Sequence, residues 1–110
     1  MTDPIFDVAG RVVEITGACG LIGRKIAAEL NTRGTNLVLA DIENTNPSDF
    51  AERLMRKNSR AIGRPCDVSK AKEVKTLVET TITEFGRVDV LINAHQYKPS
   101  GFLSAKAEDF

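Results

Sequence analysis

The run Thr16-Gly17-Ala18-Cys19-Gly20-Leu21-Ile22-Gly23 places three glycines where a β-branched segment gives way to a helical one. A strand-to-helix turn of this kind offers backbone N–H groups and a helix N-terminus to the pyrophosphate of a dinucleotide. The glycines have separate tasks in that chemistry. Gly17 permits the tight turn, Gly20 keeps a Cβ away from the phosphates, and Gly23 lets the helix lie close on the sheet. Glycine-rich turns also occur without any ligand, so a second signal is needed. Asp41 supplies it, 24 residues after Gly17 at the end of the next apolar run. A carboxylate there accepts both hydroxyls of an adenosine ribose and repels a 2′-phosphate, so the pair of signals predicts NAD rather than NADP. Taken alone, Asp41 would read as a solvated strand-end aspartate.

Other reactive side chains carry less. His95 is the single histidine and follows the fourth apolar run, where the sites of α/β folds gather, so its imidazole either contacts a ligand or is a plain loop histidine. Cys19 and Cys66 both follow strand segments; the helix N-terminus next to Cys19 predicts a lowered thiol pKa and some redox sensitivity, against simple packing of a small residue. Neither cysteine has a Cys or His neighbour at zinc-ligand spacing, so no metal site is expected, and free thiols are.

The elements that must position these residues follow from the apolar pattern. Residues 11–16 read as the first strand. Ile22, Ile26, Ala27 and Leu30 recur at helical spacing up to Arg33, with Gly34 as terminator. Residues 36–41 are near-continuously apolar, as in a strand buried on both faces. Asn46 and Pro47 cap and open a shorter helix with Phe50, Ala51, Leu54 and Met55 as its stripe. Residues 60–67 make a weaker strand, interrupted by Gly63 and Pro65 and suited to a sheet edge. Ser69 caps a long helix to Phe85 with Val74, Leu77, Val78, Ile82 and Phe85 on one side, ended by Gly86. Residues 88–93 form the fourth strand, 94–101 a loop, and 102–110 the start of another element. Alternating strands and helices predict a Rossmann-like α/β fold, a parallel sheet in the order 3-2-1-4 with flanking helices, ending after the fourth strand.

The bulk numbers exclude several classes. The chain has 110 residues and equal numbers of basic and acidic side chains, fifteen each. It supports one small domain. A nucleic-acid partner is not expected without a basic excess, and no apolar run approaches the roughly 20 residues of a membrane span. Met1-Thr2-Asp3-Pro4 lacks the basic start of a secretory signal, so the expected location is the cytoplasm.

Four segments in order resemble the short-chain dehydrogenase/reductase family: Phe6-Asp-Val-Ala-Gly-Arg-Val-Val13, the Thr16-Gly17 turn, Cys66-Asp67-Val68-Ser69, and Gly86-Arg-Val-Asp-Val-Leu-Ile-Asn93. The resemblance spans nearly the whole chain and corresponds to the N-terminal, cofactor-binding half of that fold. It implies NAD held by Gly17, Gly20, Ile22, Gly23, Asp41, Asp67, Val68 and Asn93. Asp67 would meet the adenine amine and Val68 lend its backbone; Asn93 would lie beside the adenosine ribose or steady the sheet. Residues 1–110 then read as a partial dinucleotide-binding domain without its catalytic half. Its full-length parent would be a homo-oligomer that moves hydride between nicotinamide and the carbonyl or alcohol of a small-molecule substrate.

The chain departs from the family pattern at four places. Its glycines are spaced G-x-x-G-x-x-G, with Leu21 where a glycine is usual, which is closer to nucleotide-sugar-modifying members. Asn93-Ala94-His95-Gln96 replaces the usual N-N-A-G. Glu14 falls in the central strand, where a carboxylate must be protonated, paired or partly solvated. The family's Ser and Tyr-x-x-x-Lys set is not supplied, because the sole tyrosine, Tyr97, is followed four residues later by Gly101. No catalytic residue is therefore assigned. Two other readings stay open: a non-catalytic dinucleotide-binding or interaction module with an open fourth strand, and a fragment of a nucleotide-sugar epimerase or dehydratase.

Overall fold

The computed structural model describes residues 7–55 and 59–95. Strands β1 (Val12–Thr16), β2 (Asn36–Asp41), β3 (Ala61–Pro65) and β4 (Val90–Asn93) alternate with helices α1 (Leu21–Thr32), α2 (Pro47–Leu54) and α3 (Ala71–Phe85), and a 3-10 turn spans Glu43–Thr45. The sheet is parallel throughout, in the order β3-β2-β1-β4. That is the order expected from the alternation of elements. Gln96, Tyr97 and the proposed element at 102–110 lie outside the described residues.

Period-2 alternation divides the sheet between two helical layers. Leu37 and Leu39 of β2 join Val13, Ile15, Ala27 and Ala51 on the face covered by α1 and α2. Val38 and Ala40 turn to the other face, where Leu77 of α3 and Cys66 cover them. With both faces of β2 buried, its apolar run has no polar side, as a central parallel strand requires. Gly63, expected to weaken β3, serves the packing: a Cβ there would lie 2.1 Å from the Pro47 carbonyl oxygen at the start of α2.

Three local expectations are corrected. Ser69 does not cap α3; the N-cap is Lys70, without a side-chain bond, because Asp67 Oδ1 accepts from both the N–H (3.0 Å) and the hydroxyl (2.6 Å) of Ser69. Met55 leaves the α2 stripe, since the chain turns extended there and exposes it. On α3 only Leu77 and Thr81 are buried, whereas Val74, Val78 and Ile82 stand open, Ile82 at 47% exposure. The stripe of α3 is wider than a four-stranded sheet covers, and Leu91 on the outer strand β4 is 54% exposed beside it. Glu14 is 3% exposed, and its Oε1 lies 2.8 Å from the Thr81 hydroxyl, which also reaches the Leu77 carbonyl oxygen at 2.9 Å, so the buried carboxyl has a hydrogen-bond partner within the fold. No helix among the described residues is long and apolar enough to cross a membrane.

Candidate functional site

All four strands point the same way, so their carboxyl ends meet at one edge of the sheet, and the loops leaving them enclose a cleft of about 800 Å³. Six of the eight residues singled out from the sequence line it: Gly17, Gly20, Ile22, Asp41, Asp67 and Val68. Leu21, Ile42, Cys66, Ser69, Ala94 and His95 line it as well. Gly23 and Asn93 do not. Gly23 packs the helix onto the turn, where a Cβ would fall 2.3 Å from the Gly17 carbonyl oxygen. Asn93 Oδ1 accepts from the Thr16 hydroxyl at 2.9 Å, tying β4 to β1.

The turn is shaped by what crosses it. Gly17 has φ +71°, and a Cβ would meet the backbone of Ala94 and His95 at 2.5 to 2.8 Å. The requirement for glycine thus comes from the exit of β4 as much as from the turn itself. At the start of α1 no side chain caps the helix and no acidic residue occupies the first turn. The N–H groups of Leu21, Ile22 and Gly23 find no acceptor among the described residues. Leu21 and Ile22 border the cleft, so their N–H groups and the positive end of the helix dipole open onto it, an arrangement suited to an anion.

Two carboxylates stand opposite. Asp41 Oδ2 accepts from the Cys19 N–H at 2.9 Å and Oδ1 from its neighbour Ile42 N–H at 2.8 Å, so the side chain is fixed across the glycine turn with lone pairs left over. No sequence spacing signals this link between β2 and the turn. Asp67 is held below the usual carboxylate range by the hydroxyl and N–H of Ser69, and its own N–H donates to Glu73 Oε1 at 3.0 Å. Cys19 reverses the expectation of a lowered pKa. Burial pushes its thiol up and the Asp41 charge adds to that, against the opposing pull of the Thr45 hydroxyl and Arg24. Burial also raises Cys66, helped by Glu73, Glu14 and Asp67. Both cysteines are free, and no cluster able to hold a metal ion occurs among the described residues.

Residues 11–110 match the family model for short chain dehydrogenases. The chain belongs to the short-chain dehydrogenase family. It is 40% identical over 79 residues to a diacetyl reductase [(S)-acetoin forming] of Staphylococcus epidermidis, an alignment covering 72% of this chain and 31% of that protein. It is 37% identical over 106 residues to an uncharacterized oxidoreductase of Staphylococcus saprophyticus, covering 94% of this chain and 41% of the other. The crystal structure of a short chain dehydrogenase/reductase from Burkholderia phymatum in complex with NAD superposes with a TM-score of 0.78 at 30% identity, covering 94% of this chain and 37% of that one. The chain thus spans about a third of the length of the curated relatives it matches. Nothing in these matches favours an epimerase, a dehydratase or a non-catalytic module.

Proposed function

We propose that residues 1–110 hold the dinucleotide of a short-chain dehydrogenase, NAD in preference to NADP, and that the whole protein moves hydride between it and the carbonyl or alcohol of a small molecule. The observation that carries this reading is the meeting, in one cleft, of the unclaimed N–H groups of Leu21 and Ile22 with the carboxylates of Asp41 and Asp67. The first pair fits a pyrophosphate; Asp41 fits the ribose hydroxyls. Asp67, ionised under the hold of Ser69, offers an acceptor to the adenine amine, and Val68 an apolar flank. When bound, the nicotinamide supplies the hydride donor or acceptor. Gly20 keeps a Cβ out of the cleft, Gly17 makes way for the exit of β4, and Gly23 and Asn93 hold the turn and sheet beneath.

The preference for NAD is supported by charge. The cleft is lined by Asp41 and by no Lys or Arg among the described residues. A unit negative charge of a 2′-phosphate about 4 Å from Asp41 is disfavoured by roughly 1 kcal/mol in water and about 4 kcal/mol near a protein surface. That corresponds to a preference of about fivefold at the lower figure and several hundredfold at the upper. Within residues 1–110 the sole tyrosine, Tyr97, has no lysine four residues on, so the role proposed for this stretch is dinucleotide binding and no proton-transfer residue is assigned in it. A cytoplasmic setting, supported by the two free thiols, and a homo-oligomeric whole protein, supported by family membership, complete the reading.

Calorimetric titration of the 110-residue chain with NAD and with NADP tests it. Saturable NAD binding is expected, with NADP weaker. Asp41→Ala removes a charged acceptor, which costs about 1.5–3 kcal/mol, or roughly ten- to a hundredfold in NAD affinity, and narrows the gap to NADP. Equal affinity of the unaltered chain for both dinucleotides would remove Asp41 from the site, and no binding of either would end the proposal.

A further inference from the structure

The hydroxyl of Thr16 stands 2.9 Å from Asn93 Oδ1 and 2.9 Å from His95 Nδ1. It has one proton to give. Asn93 Oδ1 is an acceptor only and takes that proton, so the contact with the imidazole requires His95 Nδ1–H to donate to the Thr16 oxygen. In the neutral ring a hydrogen on Nδ1 leaves Nε2 with a bare lone pair, and the bond made by one ring nitrogen decides the state of the other. The pivot of this relay is rigid, because Thr16 is 5% exposed and pairs in register with Asn93 across the β1–β4 ladder. His95 is exposed and lines the cleft, with its backbone against Gly17. With Nδ1 turned to Thr16, Nε2 has no hydrogen-bond partner among the described residues and is left to the cleft that His95 lines.

We propose that His95 is a ligand contact that helps determine specificity: its Nε2 accepts a hydrogen bond from a ribose hydroxyl of the dinucleotide beside the glycine turn. Thr16 and Asn93 set the tautomer that makes this possible. The inference rests on the cleft being the dinucleotide site and adds to it a residue outside the glycine and aspartate signals. The chemistry selects a hydroxyl. Phosphate oxygens present acceptors to an acceptor, whereas a ribose hydroxyl presents a donor. The cleft then holds one acceptor on each side of the turn, Asp41 on the β2 side and His95 on the β4 side. Thr16 is a positioning residue, since it does not line the cleft.

Nitrogen-15 NMR of the imidazole in the 110-residue chain without ligand reads the tautomer directly. Nδ1–H is expected; a predominant Nε2–H form would overturn the proposal, because the relay would then run in the other direction. Addition of NAD should shift the Nε2 resonance, and an unmoved resonance at saturating NAD would also overturn it. His95→Asn keeps an amide where Nδ1 meets Thr16 and has nothing at Nε2. Its thermal midpoint should be unchanged, and its NAD affinity should fall roughly two- to tenfold, the range for one neutral hydrogen bond. Unchanged affinity would count against the contact. Thr16→Val should move the ring toward Nε2–H and weaken NAD by a similar factor, which a purely structural role of His95 does not predict. Absence of NAD binding by the unaltered chain would instead refute the dinucleotide reading, and the ligand-free tautomer separates that failure from this one.

Discussion

Replacing Gly17 by alanine tests the geometry on which the site depends, and Gly10→Ala provides its control. Both glycines have positive φ, +71° and +76°. An L-residue in that region costs about 1–2 kcal/mol at either position. They differ in what a methyl group would meet. At Gly10 nothing lies within 4 Å, whereas at Gly17 the Cβ falls 2.5 Å from His95 N, 2.7 Å from His95 Cα and 2.8 Å from Ala94 C. Every one of these neighbours is backbone, so relief requires the exit of β4 to move away from β1, and overpacking of this kind costs a further 1–3 kcal/mol or so. Gly17→Ala should therefore destabilise by roughly 2–5 kcal/mol and Gly10→Ala by about 1–2, against a typical total of about 5–15 kcal/mol. Urea unfolding followed by circular dichroism reads the difference. With a slope of about 1–3 kcal/mol per molar urea, the midpoints of the two variants should differ by around 1 M. NAD affinity should drop in Gly17→Ala and hold in Gly10→Ala. Equal midpoints for the two variants would refute the claim that the β4 exit, rather than the turn conformation alone, demands glycine at position 17.

The buried Glu14–Thr81 pair makes a second prediction: Thr81→Val leaves a carboxylate oxygen without its partner and should cost about 1–3 kcal/mol, while the Glu14→Leu/Thr81→Val double variant recovers most of it. A double variant no more stable than Thr81→Val would show that the pair is not what Thr81 contributes. Asp89 is held below the usual carboxylate range, first by the Val12 N–H that donates to it at 2.8 Å and then by Arg87. Its stabilising contribution is complete above the ordinary aspartate range and is lost as pH falls through the lowered folded-state value. Thermal melts between neutral pH and about pH 2 should therefore show a shallower acid loss in Asp89→Asn than in the unaltered chain, and parallel curves would exclude Asp89 from the acid transition.

Much of this molecule can be read from local pattern because the forces that produce it are local. The 3.6 and 2.0 periodicities, Pro47 at the first helical position and the glycines after α1 and α3 specify the elements. The alternation of strand and helix, with right-handed crossovers, then leaves few strand orders, and the dinucleotide fold indicated by the glycine turn selects 3-2-1-4 among them. The glycine turn and Asp41 are legible for the same reason, since a phosphate-binding turn needs its glycines within one short segment and its acidic partner at the next strand end. What pattern misread was also local in appearance. Ser69 looks like a cap, but Asp67 two residues earlier captures its hydroxyl, and Cys19 looks activated by a helix end, but its burial beside Asp41 outweighs that.

Only the tertiary structure decided the contacts between residues distant in sequence. Glu14 is tolerable in the central strand because α3 brings Thr81 to it from 67 residues away. Gly17 is needed where β4 leaves the sheet, and His95 acquires a defined tautomer because the β1–β4 register sets Thr16 beside Asn93. The physical reason is common to all three. A buried polar group or a close backbone approach is satisfied by whatever the packed fold brings near, and sequence spacing carries no record of that partner. By itself the sequence determined a parallel α/β sheet with a glycine turn facing an aspartate; the packing of β4 and α3 against β1 decided which side chains complete the cleft and how each is held.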